Sequence, residues 1–154
     1  MKSSVTLDIG APRNTVAELF ADPLNNPRWM SELDRVEAVS GQLGVQGSQY
    51  RMVSKDGAMD FVATIVLSDL PNELHLRLDA SNLAVLITDR FLAPSPDVTR
   101  LISEEIFSFE GPIRRLVGIF TGSLIRKAHR GHMESFKRFA EAHERRRHDS
   151  STDS

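Results

Sequence analysis

The sequence predicts an α+β domain in which a seven-stranded antiparallel sheet curves around one long C-terminal helix. Two short helices are expected between the first and second strands. Three observations predict this fold. Short β-like runs recur as far as Phe109. The connections between these runs are short, as hairpins require. From residue 113 to residue 148 no proline interrupts a helical pattern.

The N-terminal part supplies the first strand and the two short helices. Residues 5–9 alternate apolar and polar side chains, which is typical of a half-buried strand. Pro12 suits the first turn of a helix, because its missing N–H needs no partner there. Residues 16–20 then carry apolar side chains at helical spacing. A second helical turn is predicted at residues 28–33 and contains Trp29, the one tryptophan.

Six further strands follow, each separated from the next by turn-forming residues such as Asp56-Gly57. They are predicted at residues 36–39, 50–53, 59–67, 74–78, 83–92 and 98–109. Because every connection is short, consecutive strands should pair with each other in an antiparallel meander.

The long helix is predicted from about Pro112 to about His143. Its first half is apolar on a broad face, and its second half has a narrower apolar stripe. A helix of this length is roughly 50 Å long, so the sheet must curve around it. Such curvature tends to leave a void under the first half of the helix. Residues 1–145 are therefore interpreted as one domain, and residues 146–154 as a disordered tail.

Composition excludes several classes of protein. The 154 residues contain no cysteine, which excludes disulfides, thiolate metal sites and cysteine nucleophiles. No apolar run resembles a signal peptide or approaches the roughly 20 residues of a membrane span. We therefore expect a cytoplasmic protein without integral membrane association.

Charge is unevenly distributed along the chain. Residues 1–110 hold 9 Lys/Arg and 16 Asp/Glu, a balance of −7, whereas residues 111–148 hold 10 and 3, a balance of +7. Two aspartates in the tail restore the net charge of −2. The basic segment is expected to be a solvated helix face, and the alternative is a contact surface for an anionic membrane or another protein. Nucleic-acid binding is not expected, because no aromatic platform accompanies the basic residues.

Several short motifs, taken in order, resemble a known superfamily. These are Ile9-Gly10-Ala11-Pro12 with Val16 and Leu19-Phe20, then Pro27-Arg28-Trp29, then Asp97-Val98-Thr99-Arg100-Leu101. Their order and spacing resemble the SRPBCC superfamily, which includes START domains, Bet v 1-like proteins and the polyketide cyclase/dehydrase group. The resemblance covers about residues 3–145. It implies a helix-grip fold with a cavity for a lipid, polyketide or similar molecule, and a few members of the superfamily are cyclases or dehydratases.

Two strands contain acidic and basic residues that could face this cavity. Successive strand residues point to opposite faces, so Asp89 and Arg90 point apart, as do Glu104 and Glu105. A four-residue turn at residues 94–97 would place Arg90 and Glu105 on one face, and the resemblance implies that this face is the interior. They are the candidates for orienting a polar ligand group or transferring a proton. The alternative is an ion pair that only stabilises the fold.

Eight side chains are the candidates for the cavity wall, although each could equally be ordinary core. They are Trp29, Tyr50, Met52, Phe61, Leu101, Phe107, Phe120 and Leu124. We expect no metal and no cofactor. His129 and His132 are one helical turn apart, but a zinc site needs three or four ligands, so both are interpreted as surface histidines. The sequence contains no phosphate-binding glycine loop and no nucleophile elbow.

The function that follows is the binding of a small hydrophobic ligand in a cavity between the sheet and the C-terminal helix. The first alternative is an enzyme of the polyketide cyclase or dehydratase type. The second is a membrane- or protein-associated module that uses the basic helix. The expected partner is a small apolar molecule, and the expected state is a monomer or homodimer. Whether any reaction is catalysed stays open.

Overall fold

A computed structural model describes residues 1–57, 60–111 and 122–153. Its elements follow in the predicted order, with a single 3-10 turn at Pro23–Asn25 between the first two helices. The strands are β1 (Lys2–Ile9), β2 (Leu33–Ser40), β3 (Gln49–Ser54), β4 (Phe61–Asp69), β5 (Glu73–Ala80), β6 (Leu83–Ser95) and β7 (Val98–Phe109). The helices are α1 (Arg13–Ala21), α2 (Asn26–Trp29) and α3 (Gly122–Thr152).

The strands form one seven-stranded sheet in the order β1-β7-β6-β5-β4-β3-β2, and every neighbouring pair is antiparallel. From β2 to β7 each strand pairs with the next in sequence, and β1 closes onto β7. The predicted antiparallel sheet and the two short helices between β1 and β2 are confirmed. Register shifts in the β2–β3, β4–β5 and β6–β7 pairs mark irregularities, which locally bend and twist strands.

The hydrophobic core lies where the three helices pack against one face of the sheet, called the inner face below. An aromatic cluster is at its centre. The ring of Phe136 on α3 is 4.8 Å from that of Phe20 on α1 and 5.3 Å from that of Trp29 on α2, centroid to centroid. Phe91 on β6 contacts Phe20 edge-on at 5.6 Å. Both Phe136 and Phe91 are fully buried, so this cluster fixes the helices on the sheet.

Helix α3 extends further than the sequence predicts. It continues to Thr152, past the expected end near His143 and through most of the segment predicted as a disordered tail. Two contacts hold this last part in place. Within α3, Glu144 contacts the imidazole of His148 at 3.1 Å, and contacts one helical turn apart support helix formation. Between helices, Arg147 donates to the Thr15 hydroxyl of α1 at 3.2 Å. The predicted start at Pro112 lies outside the described residues.

The outer face of α3 is polar. Arg126, Lys127, Arg130 and Arg138 are exposed, as predicted for a basic helix face, whereas Lys137 is half-buried. Among the helices that the structure describes, none is both long and apolar enough to cross a membrane.

The β6–β7 hairpin differs from the prediction by one residue of register. Ser95 pairs with Val98 across a tighter turn, and the register shifts between Leu92 and Ser95. The predicted four-residue turn would have paired residue 93 with residue 98. A shift of one residue turns every side chain of a strand to the other face. Asp89 therefore lies on the inner face, Arg90 lies on the outer face, and the prediction that Arg90 shares a face with Glu105 is wrong.

Candidate functional site

Five polar side chains meet on the inner face of the sheet, and we call them the buried polar cluster. Its members are Ser3, Asp89, Ser103, Glu105 and His129. All except Glu105 are buried with at most 2% of their surface exposed, and the Glu105 side chain is 16% exposed. Buried polar groups are costly without partners, so their arrangement needs an explanation.

Strand register brings four of these residues together. Ser3 on β1 lies directly opposite Glu105 on β7, and Asp89 on β6 lies directly opposite Ser103 on β7. Ser103 and Glu105 are two residues apart, so both point to the inner face. Asp89 and Glu105 are consequently diagonal neighbours, a spacing of about 7–8 Å between Cα atoms.

His129 joins the cluster from α3. The buried residues of this helix recur at helical spacing, and His129 lies four residues before Met133 and seven before Phe136. The imidazole is therefore on the face of α3 that packs against the sheet.

The imidazole connects β1 to β7. Its Nδ1 is 2.8 Å from the Ser3 hydroxyl oxygen, and its Nε2 is 2.9 Å from the Ser103 hydroxyl oxygen. Burial lowers the pKa of His129 to about 4, and His132 and Arg130 add to this effect. The ring is therefore neutral at pH 7, with one donor and one acceptor nitrogen. In the tautomer in which Nε2 donates to Ser103, the Ser103 hydroxyl proton is free to point toward Asp89.

The two carboxyl groups are in an unfavourable environment for charge. Neither oxygen of Asp89 has a hydrogen-bond partner among the described residues. Burial raises the pKa of Asp89 to about 7; the Ser103 hydroxyl opposes this shift, and the charge of Glu105 adds to it. Burial likewise raises the pKa of Glu105 to about 7; its Oε1 is 3.7 Å from Nε2 of His129. Both groups can take up or release a proton near neutral pH.

Apolar side chains surround this cluster on the inner face. Strand pairing places Leu76, Leu78, Ile87 and Phe107 on the same face as Asp89, and all four are only partly buried. Tyr50 of β3 also lies on the inner face and is buried. Its own burial raises the pKa of Tyr50 to about 12; Asn26 opposes this shift and Asp89 adds to it. The cluster is thus polar, whereas the adjoining inner face is largely apolar.

The predicted site residues fall into four groups. Leu101 and Glu105 lie on the inner face, and Phe107 lies there half-buried. Trp29, Tyr50 and Met52 are buried core residues, with Phe61 packed against them. Arg90 and Leu124 are not part of the interior: Arg90 is on the outer face 3.7 Å from Glu104, and Leu124 is 63% exposed. Phe120 lies outside the described residues. Contact of any of these residues with a ligand stays a prediction.

Sequence reasoning missed Ser3, Asp89, Ser103 and His129. The interpretation of His129 as a surface residue is wrong, and its spacing from Met133 and Phe136 was a signal that could have shown this. Ser3 had a similar signal, because it shares the parity of Val5 and Ile9, both of which are buried. No comparable signal in the sequence indicated the burial of Asp89 and Ser103, because the face on which each lies depends on the register of the β6–β7 hairpin.

A separate cleft of about 450 Å³ lies between the start of α1 and the last turns of α3. It is lined by Gly10, Ala11, Pro12, Asp97, Glu141, Glu144, Arg145 and His148. Residue 99 of β7 borders this end of the sheet, six residues from Glu105, which is about 20 Å along a strand. The cleft is therefore distinct from the buried polar cluster. Among residues 1–57, 60–111 and 122–153, no group of three or more His, Cys, Asp or Glu side chains could hold a metal ion.

No protein-family model and no curated protein matches the chain. Solved structures do. A START superfamily protein from Mycobacterium smegmatis superposes with a TM-score of 0.69 at 16% identity, over 92% of this chain and 95% of that one. The Zhui aromatase/cyclase from Streptomyces sp. R1128 gives 0.74 at 14% identity, over 92% and 93%. A point mutant of norcoclaurine synthase from Thalictrum flavum gives 0.69 at 12% identity, over 94% and 96%. The chain therefore has the fold of these proteins, a helix-grip fold.

Proposed function

We propose that the protein binds a small, mainly apolar molecule between the sheet and α3, with a polar end of that molecule at the buried polar cluster. The observation that carries this proposal is Asp89. Its two carboxyl oxygens are fully buried and have no partner among the residues described. An unpartnered buried polar group costs about 1–3 kcal/mol, and more if charged. A ligand that hydrogen-bonds to Asp89 would remove that cost.

The apolar part of the ligand would contact the inner face beside the cluster. Leu76, Leu78, Ile87 and Phe107 are incompletely buried there, so apolar surface is still available for contact. Ligand sites in proteins typically combine an apolar wall with a few polar groups that fix orientation. The juxtaposition of these four residues with Asp89 has that composition.

Two neighbouring residues of β6 allow a matched test. Ile87 lies on the inner face, whereas Leu86 lies on the outer face and is 46% exposed. We expect the protein to bind the neutral fluorophore N-phenyl-1-naphthylamine, as measured by fluorescence titration. Ile87→Trp should weaken this binding at least about tenfold by filling the space, and Leu86→Trp should not. Circular dichroism would verify that both variants fold. No binding by the wild type, or equal losses in the two variants, would refute the proposal.

A second candidate function is general acid–base catalysis on the bound molecule, as in a cyclase or dehydratase. The observation that favours it is the pair of carboxyl groups, Asp89 and Glu105, whose pKa values burial raises to about 7. Such values suit proton transfer near neutral pH. The distinguishing result would be a turnover that Glu105→Gln abolishes while binding persists, with Glu104→Gln on the outer face as the control.

A further inference from the structure

We infer that the polar end of this ligand is a cation, most simply a protonated primary amine, held between Asp89 and Glu105. This inference rests on the proposed function and names the chemical class of the ligand. It comes from a comparison of the hydrogen-bond donors and acceptors that meet at the cluster.

Acceptors outnumber donors in the cluster. Both oxygens of Asp89 lack a hydrogen-bond partner among the described residues. The one basic side-chain nitrogen that those residues bring within 4 Å of the Glu105 carboxyl group is Nε2 of His129, at 3.7 Å. His129 has no ring nitrogen left to donate to either carboxyl group, because both nitrogens are hydrogen-bonded, one to Ser3 and the other to Ser103. Among the described residues, at most the Ser103 hydroxyl can donate one proton to Asp89. At least two acceptor positions are therefore left for a ligand.

Positive charge is also missing from the described part of the site. Lys2 and Arg90 flank it in sequence, but both lie on the outer face, where they contact Glu104 at 3.3 Å and 3.7 Å. Among the described residues, the titratable groups that face Asp89 from the packed elements are Tyr50 of β3, Glu105 of β7 and His129 of α3. None of these three is cationic at neutral pH.

An ammonium group matches this arrangement in both its charge and its number of donors. Burial raises the pKa of each carboxyl group to about 7, so the pair can carry negative charge near neutral pH, and a cation beside it would favour that charge. An ammonium offers one positive charge and three donors. An alcohol offers a single donor and no charge, and a carboxylate would be repelled. Burial strengthens an ion pair only when its hydrogen bonds are satisfied, and here the acceptors are already in place.

Three probes with the same ring system separate these possibilities: 1-naphthylmethylamine, 1-naphthylmethanol and 1-naphthoic acid. We expect the amine to bind the wild-type protein most tightly in isothermal titration calorimetry. Asp89→Asn should weaken amine binding by about thirtyfold or more, as for loss of one partner of a buried charge pair. The same variant should weaken alcohol binding by less than about tenfold, as for one neutral hydrogen bond.

Glu105→Gln provides a second variant, and Glu104→Gln on the outer face is its matched control. Amine affinity should rise between about pH 5.5 and pH 8 as the two carboxyl groups lose their protons, whereas alcohol affinity should stay level. If the alcohol or the acid binds as tightly as the amine, or if both cluster variants leave amine binding unchanged, the inference of a cation is wrong and the proposed function stands. If none of the three probes binds, the proposed function fails and the inference fails with it.

Discussion

The free energy of unfolding of Asp89→Asn, minus that of the wild type, should increase as the pH rises. Burial raises the pKa of Asp89 from 3.8 to about 7. Between these values the folded protein keeps a proton that the unfolded chain has lost. The free energy of unfolding therefore falls with increasing pH over this window. At about 1.4 kcal/mol per pKa unit, the loss is at most about 4 kcal/mol, and it is complete above about pH 7.

Two neighbours titrate in the same range, and their effects largely cancel. The pKa of Glu105 is raised from 4.5 to about 7, which removes up to about 3 kcal/mol as the pH rises. The pKa of His129 is lowered from 6.5 to about 4, so the unfolded state binds the extra proton, and up to about 3 kcal/mol is gained between pH 4 and pH 6.5. The dependence that remains is mainly that of Asp89.

The assay is urea unfolding, followed by circular dichroism, of the wild type and Asp89→Asn from about pH 4.5 to pH 8. The stability of the variant minus that of the wild type should increase by about 3 kcal/mol between pH 4.5 and pH 7 and then level off. Asp8→Asn is the control, because a hydrogen bond from exposed Arg100 lowers the pKa of Asp8, and this difference should not increase with pH. A difference for Asp89→Asn that is constant across the range would refute the reasoning.

Two further predictions concern the packing that holds the site. Thr99→Val should lower the free energy of unfolding by about 1–3 kcal/mol, measured by urea unfolding, because the buried Thr99 hydroxyl donates to the carbonyl of Ala11 at 2.7 Å; an unchanged value would contradict the importance of this bond. Phe136→Ala should cost about 3–5 kcal/mol by removing the centre of the aromatic cluster, whereas Leu124→Ala, at a position 63% exposed, should change stability by less than about 0.5 kcal/mol. Similar losses in both variants would contradict the assigned core.

The fold was predictable because its signals are local. Alternation along residues 5–9, the turn at Asp56-Gly57 and the uninterrupted helical pattern after residue 112 each depend on residues close together in sequence. Short connections then restrict the strands to an antiparallel meander. The C-terminal limit was less accessible, since a basic, polar segment is compatible with either a frayed tail or a solvated helix, and contacts such as that between Arg147 and Thr15 are not visible in sequence.

The inner face of β6 and β7 could not be identified from hydrophobicity, because the pattern there is nearly inverted. Leu86 and Ile106 pair with each other on the outer face, each 46% exposed, whereas Asp89, Ser103 and Glu105 lie on the inner face. Apolar counts alone cannot decide between two faces of this kind. The register of the β6–β7 hairpin determines which side chains lie on the inner face, and that register depends on one residue in the turn.

The same inversion supports a functional reading of the cluster. A strand that served packing alone would gain by placing Leu86 inside and Asp89 outside, since burying an apolar side chain stabilises a protein and burying an unpartnered carboxyl destabilises it. The described part of the fold places Asp89 inside without a partner, and His129 occupies an apolar position on the buried stripe of α3. Natural proteins depart from the most stable arrangement mainly at functional or strained sites. β6 and α3 thus both place a polar side chain in the interior at the same point, where an apolar side chain would stabilise the fold more. A ligand that binds at the buried polar cluster best explains this arrangement.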